Sequence, residues 1–363
     1  MKRAPFQRTC CRLVLVFEEE FKLVLNSTFI TIRRFGFLLL IFLTLMNTPP
    51  YKFRSKVLML LTSEFVTARF HALKEKAPNL DIVTELAPGP NEEIDVVFAF
   101  KLPDGLASRL PNLKMASSVG AGADGLLQAK DLPRSVRVTR AADPGLGFSM
   151  AQFVTAHILQ HFRSLPLMAA QQRAGQWKRL LLPEADKVTV GIMGIGAIGS
   201  VVATALEALG FRVVGWARSE SAERKVRTFT GNQELEEFLR ASNFLVCLLP
   251  FTDETRNLLD KEKLAFLPKD AYLVNVARGG IVAEDELVAL INSGHLAGAT
   301  LDVFATEPLP AESPLWQNEK IVVTPHVAAQ PSVEPVVEQF LENLRRLEAG
   351  ETLINEVDRQ LGY

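Results

Sequence analysis

The sequence predicts an α/β protein built on parallel sheets, and three observations predict it. Short apolar runs alternate with helix-like segments from about residue 56 to residue 325. Several of those runs are apolar throughout rather than alternately, as expected of strands covered on both faces. Glycine, proline and aspartate cluster where the runs stop. With 363 residues the chain can bury two full hydrophobic cores. Its 48% hydrophobic and 22% charged residues are those of a globular protein, and a formal net charge of −1 gives no reason to expect nucleic acid or an acidic membrane as partner.

The elements follow in order. Lys56-Val57-Leu58-Met59-Leu60-Leu61 is a first strand, and residues 63–77 form a polar helix after it. Residues 94–100 make another buried strand, stopped by Leu102-Pro103-Asp104-Gly105. Residues 113–118 lead into a tight glycine turn, Val119-Gly120-Ala121-Gly122-Ala123-Asp124. From 149 to 165 the apolar positions Phe153, Ala156, Leu159 and Phe162 recur at helical spacing, a long helix that carries the chain into a second domain. That domain opens with a strand at 187–193 and repeats strand–helix units to about Pro325. Residues 332–347 form a last amphipathic helix, placed to return the chain to the first domain.

Residues 1–54 do not match the rest. The run Gly36 to Met46 is mostly apolar but has eleven residues, against the roughly 20 needed to cross a bilayer. Glu18-Glu19-Glu20 is foreign to an organelle transit peptide, and no small-residue cleavage site follows the apolar run. Of three readings (a disordered extension, a membrane-associating segment, or upstream sequence translated from a misplaced start) the last is preferred, with Met46 as the start. Cys10, Cys11 and Cys247 have neither metal-site spacing nor a disulfide framework, which fits a reducing, cytoplasmic setting.

Gly194-Ile195-Gly196-Ala197-Ile198-Gly199 matches G-x-G-x-x-G. Alone the pattern is weak, but here it follows a β-type run, opens a helix over 198–209 and precedes another strand at 211–216. In that βαβ context the glycines allow the tight turn, the approach of backbone to a pyrophosphate and close helix–strand packing. The helix start offers unpaired N–H groups to phosphate. At the end of the second strand, where a carboxylate would accept from the ribose hydroxyls of NAD, the chain has Arg218 and Ser219. A guanidinium and a hydroxyl suit a 2′-phosphate, so NADP(H) is expected over NAD(H). The plainer alternative is a solvated Arg218 in a site that takes either cofactor.

Three residues carry the chemistry. Arg278 stands in Val274-Asn275-Val276-Ala277-Arg278-Gly279-Gly280, Glu307 in Leu301-Asp302-Val303-Phe304-Ala305-Thr306-Glu307-Pro308, and His326 in Thr324-Pro325-His326-Val327-Ala328-Ala329. Arg278 and His326 each follow a β-type run, and so fall at the carboxyl edge of a parallel sheet, where ligands bind. A guanidinium can bind a carboxylate and polarise the adjacent keto oxygen, an imidazole can act as general acid, and a carboxylate can hold that imidazole protonated. Their ordinary alternatives are a salt-bridge arginine, a helix-start carboxylate and a core or surface histidine. Asp302 either meets a nicotinamide carboxamide or caps a helix. The set reads as a hydride-transfer enzyme for a small 2-keto acid.

These motifs, with Ser313-Pro314-Leu315-Trp316-Gln317 and the tail Val357-Asp358-Arg359-Gln360-Leu361-Gly362-Tyr363, resemble the D-isomer-specific 2-hydroxyacid dehydrogenases from about Lys56 onward, and most of all their bacterial glyoxylate/hydroxypyruvate reductase A branch. The resemblance implies a Rossmann-type, doubly wound cofactor domain at 149–327, inserted into a smaller flavodoxin-like substrate (lid) domain made of 55–148 and 328–363. It implies Arg278, Glu307 and His326 as the catalytic set, with NADPH reducing glyoxylate to glycolate and hydroxypyruvate to D-glycerate. It implies cofactor contacts from Gly194, Gly196, Ala197, Ile198, Gly199, Arg218, Ser219, Pro250, Ala277 and Asp302. Substrate contacts would come from the Ala121 and Gly122 amides and Arg278, with Phe100 and Lys101 shaping the pocket. A homodimer is implied too, through the helix beginning near Met150. No metal is expected. Ala151-Gln152-Phe153 departs from the Ala-Glu-His common in relatives, which bears on interface or domain-junction contacts and not on the chemistry. Two other readings stay open: a D-lactate-type or larger-side-chain dehydrogenase, and a non-catalytic, cofactor-sensing binding protein.

Overall fold

The computed structural model describes residues 51–222 and 224–362; the reading of the N-terminal extension falls almost wholly outside the described residues. A single compact unit begins at Phe53, and the Arg54 and Ser55 amides are tied into it through Glu348 Oε1, at 2.7 and 2.9 Å.

Two parallel sheets form it. The first has β1 (Lys56–Met59), β2 (Asp81–Val83), β3 (Val96–Ala99), β4 (Met115–Ser118) and β5 (Arg137–Thr139), in the order β2-β1-β3-β4-β5. This is the flavodoxin-like strand order. Side chains alternate along its inner strands, so Val57 and Met59 enter one core with Val96, Phe98 and Met115, while Leu58 enters another with Val97, Ala99 and Ala116. Burial on both faces is why these strands read as continuous apolar runs.

The helix Glu64–Lys76 covers one face, started by Ser63, whose Oγ accepts from the Val66 amide at 3.4 Å. The same face is closed by the last helix, Val333–Ala349, which buries Val336, Val337, Phe340 and Leu344 there. Phe340 stacks on Phe98 with ring centroids 4.1 Å apart. The last helix therefore belongs with the first sheet.

The second sheet has β6 (Thr189–Met193), β7 (Arg212–Ala217), β8 (Arg227–Thr230), β9 (Phe244–Cys247), β10 (Ala271–Asn275), β11 (Leu296–Leu301) and β12 (Ile321–Val323). Their order is β12-β11-β10-β9-β6-β7-β8. Renumbered from β6, this is the doubly wound 3-2-1-4-5-6 order with one more strand at the edge. Helix Leu146–Phe162 packs on it through Met150, Val154 and Ile158, sharing a core with Val190, Ile192, Val202 and Val274. No helix among the described residues is long and apolar enough to cross a membrane.

Candidate active site

The candidate cofactor and catalytic residues come from loops that leave the carboxyl ends of six of the seven strands of the second sheet. After β6 the chain turns at Gly194, whose φ of +98° is open to glycine and strained for other residues. Gly199 is packed so closely that a Cβ there would overlap the Gly194 carbonyl, whereas one on Gly196 would meet nothing within 4 Å. Helix Ala197–Ala208 starts at this bare backbone, and its first bond runs from Ser200 N to Gly196 O at 2.9 Å. The amides of Ala197, Ile198 and Gly199 thus stand at the open helix end, suited to a pyrophosphate.

Arg218 and Ser219 follow β7. The Arg218 guanidinium is about half-exposed and lies 3.8 Å from Glu254, in the loop that Pro250 begins after β9. Thr255 Oγ1 donates to the Pro250 carbonyl at 2.7 Å and closes that loop on itself. Arg224 Nη1 donates to the Ser219 carbonyl at 2.5 Å, bringing a second guanidinium to the β7 end. Arg224 stands within one loop of Arg218 in the sequence, a signal that a second arginine lies near this strand end.

Arg278 and Ala277 follow β10 in a loop braced by buried Asn275, whose Nδ2 donates to the Arg278 carbonyl (3.1 Å) and whose Oδ1 accepts from the Ala277 amide (3.2 Å). The next residue, Gly279, lies against the backbone of Phe304 and Ala305, where a Cβ would overlap. The arginine loop is therefore seated directly on the loop that carries Glu307.

Glu307 and His326 meet at 2.7 Å between Oε2 and Nδ1, while Oε1 accepts from the Phe304 amide at 2.9 Å. Burial pushes the Glu307 carboxyl up, but the hydrogen bonds from His326 and Phe304, with the charges of His326 and Arg278, outweigh it and hold the group below its ordinary value. An ionised carboxylate only accepts, so Nδ1 carries the proton and Nε2 is the nitrogen left for a ligand. Behind the pair, Glu284 Oε1 accepts from the Ala305 amide at 2.6 Å. Burial raises its pKa, and the charges of Asp285 and Glu307 add to the rise.

Asp302 caps no helix. It is 1% exposed, and its carboxylate accepts from Thr324 Oγ1 (2.6 Å), the Val327 amide (2.9 Å) and the Ala328 amide (2.9 Å). Its carbonyl accepts from the His326 amide at 2.9 Å. These bonds hold His326 at φ +54°, a left-handed conformation that costs a non-glycine residue about 1–2 kcal/mol. A carboxylate has about four acceptor positions, so one on Oδ2 is left.

The carboxyl ends of β3 and β4 face this edge. Phe100, after β3, stands 6.3 Å from His326 between ring centroids, edge to face at 78°. Its ring lies over Gly120, where a Cβ would come within 2.9 Å of it. Lys101 is exposed and makes no ion pair among the described residues. The glycine turn after β4 is braced by Ser118 Oγ, which donates to Gly122 O (2.6 Å) and accepts from Gly120 N (3.2 Å). The Ala121 and Gly122 amides donate to no acceptor among the described residues. The turn ends on Asp124, whose carboxylate takes Arg278 Nε at 3.1 and 3.2 Å and Nη2 at 3.0 Å. In the sequence Asp124 stands only as the end of a turn, with nothing local to pair it with Arg278. A guanidinium, a proton-carrying imidazole and two bare amides thus converge at facing sheet edges, a set that can bind a carboxylate and protonate an oxygen beside it.

Residues 155–328 match the family model for the NAD binding domain of D-isomer specific 2-hydroxyacid dehydrogenases. A protein of Klebsiella pneumoniae (strain 342) named glyoxylate/hydroxypyruvate reductase A is 40% identical over 287 residues, 77% of this chain and 91% of that protein. One of the same name from Citrobacter koseri is 38% identical over 81% of this chain and 95% of its own length. Among solved structures, a D-isomer specific 2-hydroxyacid dehydrogenase of Xanthobacter autotrophicus Py2, in complex with NADPH and MES, is 40% identical with a TM-score of 0.77, covering 85% of this chain and 99% of that one. An NADPH-dependent glyoxylate/hydroxypyruvate reductase of Sinorhizobium meliloti, in complex with NADP and sulfate, is 34% identical with a TM-score of 0.78, over 85% of this chain and 100% of that one.

Proposed function

Since the chain belongs to the D-isomer-specific 2-hydroxyacid dehydrogenases, we propose that it uses NADPH to reduce small 2-keto acids, glyoxylate to glycolate and hydroxypyruvate to D-glycerate. The observation that carries this reading is the placement of Arg278 and the Glu307–His326 pair opposite the bare Ala121 and Gly122 amides. That set has one place for a carboxylate and one for a keto oxygen, with the Phe100 ring edge to face with His326 beside them. The Klebsiella pneumoniae and Citrobacter koseri relatives are named glyoxylate/hydroxypyruvate reductase A, which supports the two substrates.

Gly194, Gly196, Ala197, Ile198 and Gly199 fit the pyrophosphate, and Arg218 with Ser219 fits a 2′-phosphate. Pro250 after β9 and Ala277 after β10 follow strands that lie between the glycine-loop strand and the strands before Glu307 and His326, and Asp302 offers the acceptor position left on Oδ2 to the nicotinamide carboxamide. What NADPH supplies when bound is a hydride for the keto carbon. The Ala121 and Gly122 amides and Arg278 hold the substrate carboxylate. Arg278 also stabilises the negative charge that grows on the keto oxygen, and His326 gives that oxygen a proton from Nε2. Glu307 holds the imidazole by Nδ1, orients it throughout and offsets the positive charge of the imidazolium that gives up the proton.

Residues 55–148 and 328–363 act as a lid over the cofactor domain at 149–327, and their approach excludes water from the hydride path. The chain works as a homodimer in the cytoplasm. Phe148, Leu165, Leu167, Trp177 and Leu181, all exposed along helix Leu146–Phe162 and the segment after it, support a second copy as the partner.

The test follows NADPH and NADH oxidation with glyoxylate, hydroxypyruvate and pyruvate. The expected result is rapid turnover of NADPH with the first two and little with pyruvate or NADH. Binding of NADPH without turnover of any keto acid would sink the assignment.

A further inference from the structure

Building on the proposed reduction, we propose that Asp124 is the positioning residue for Arg278: it holds one edge of the guanidinium so that the other edge meets the substrate. The count of donors carries this. A guanidinium has five N–H groups, one on Nε and two on each terminal nitrogen. Asp124 takes the Nε–H and one N–H of Nη2, and the Ala277 carbonyl takes one N–H of Nη1 at 2.7 Å. One N–H is left on Nη1 and one on Nη2. Two such groups on neighbouring nitrogens form the fork that fits a pair of carboxylate oxygens, or one carboxylate oxygen and the keto oxygen beside it. Asp124 thus occupies the edge that the substrate does not need.

The surroundings are built for this arrangement. Both side chains are mostly buried, 25% exposed for Arg278 and 19% for Asp124, so their attraction is screened less than that of a surface pair. Gly122 lies beneath the guanidinium, and a Cβ there would overlap Nη2. Arg278 could not reach Asp124 over any other residue at 122 without shifting. The two partners are 154 residues apart, one at the carboxyl edge of each sheet. The guanidinium is therefore aligned only while the two edges face each other at this spacing. Without Asp124, the arginine side chain would regain its rotamer freedom and the fork would be lost for most of the time.

An ordinary structural role is the competing account, since Asp124 also opens the short helix Asp124–Leu127. The test compares the wild type with Asp124→Asn, Asp124→Ala and Asp124→Glu, in kcat and KM for glyoxylate, NADPH affinity by fluorescence titration, and melting temperature. Losing one charged, hydrogen-bonded partner is expected to lower kcat/KM for glyoxylate by about 10- to 100-fold, with NADPH affinity unchanged. Asp124→Glu should recover part of the loss. In an Arg278→Ala background, Asp124→Ala should cost less than about threefold more, because the two act as one unit. Equal losses in both backgrounds, or a fall in NADPH affinity and melting temperature that accounts for the lost activity, would overturn the proposal.

A second readout separates this proposal from the reduction it builds on. In 15N-arginine-labelled protein, the Arg278 Nε proton should exchange slowly in the wild type and fast in Asp124→Ala. If the wild type turned over neither keto acid the reduction would fall, and this exchange rate would still decide whether Asp124 orders Arg278. No difference between the two proteins would overturn it.

Discussion

His326 and Glu307 form the shortest side-chain contact between residues expected to act on the substrate, at 2.7 Å. If Nε2 gives the proton, His326→Ala should lower kcat by about 10²- to 10⁴-fold and leave the NADPH dissociation constant unchanged; equal loss of both would count against the acid role. Glu307 has a pKa held below its ordinary 4.5 in the folded chain. A group depressed in this way adds stability above its unfolded pKa and loses that contribution as the pH falls through the folded value. Wild type should therefore melt above Glu307→Gln at neutral pH, with the gap closing on acidification below about 4.5. A gap that widened with acid would contradict the pairing. At the other end of the site, Arg218→Gln removes the cation proposed to meet the 2′-phosphate. The KM for NADPH should rise by about 10- to 100-fold and that for NADH hardly at all. Equal effects on both cofactors would show that Arg218 does not read the phosphate.

The candidate residues sit where regular elements end, and the rigidity of those elements gives the loops their precision. Gly194 and Gly199 let β6 and helix Ala197–Ala208 come close enough for the helix end to face the strand edge. Gly199→Ala would force a Cβ into the Gly194 carbonyl, at a cost of about 1–3 kcal/mol. A fall in melting temperature together with weaker NADPH binding is the expected outcome, and an unchanged cofactor affinity would show that the helix end does not hold the pyrophosphate. The loop after β12 is held in the same way, with buried Asp302 spending three hydrogen bonds to keep His326 in a left-handed conformation.

Across the whole molecule the chain passes between its sheets twice, near residues 140–146 and again near 324–333. Asp143 joins the two passages: Oδ1 accepts from Gly145 N at 2.8 Å and Oδ2 from Ser332 N at 2.7 Å. Gln339 adds bonds to the Ala142 amide and the Arg140 carbonyl, at 3.0 and 2.8 Å. Fully buried Arg69 donates to the Pro331 carbonyl at 2.6 Å, and burial pushes its pKa down to about 10. Asp143→Ala should cost about 1–2 kcal/mol in urea unfolding, since it frees two amides at the crossing. A change within 0.3 kcal/mol, taken as roughly the error of such a comparison, would show that the passages do not depend on this carboxylate.

The fold class and the strand-end positions of Arg278 and His326 were legible in the sequence, because strands covered on both faces must be apolar along their whole length. β3, β9 and β10 show this, each buried at every position. Strands β2, β5 and β8 are not legible in this way: they are three or four residues long, lie at sheet edges and carry charged residues such as Asp81, Arg137 and Arg227. Their pairing comes from a neighbour's free edge and leaves no apolar run of their own. The glycine loop, Arg218, Arg278, Glu307 and His326 could be picked out because short motifs carry them. Asp124 could not, because an ion pair spanning 154 residues exists only once two sheets bring their carboxyl edges together. The sequence by itself determined which residue types stand at the strand ends. Tertiary structure alone decided which of them touch, since hydrogen bonds and ion pairs depend on distances that no local pattern encodes.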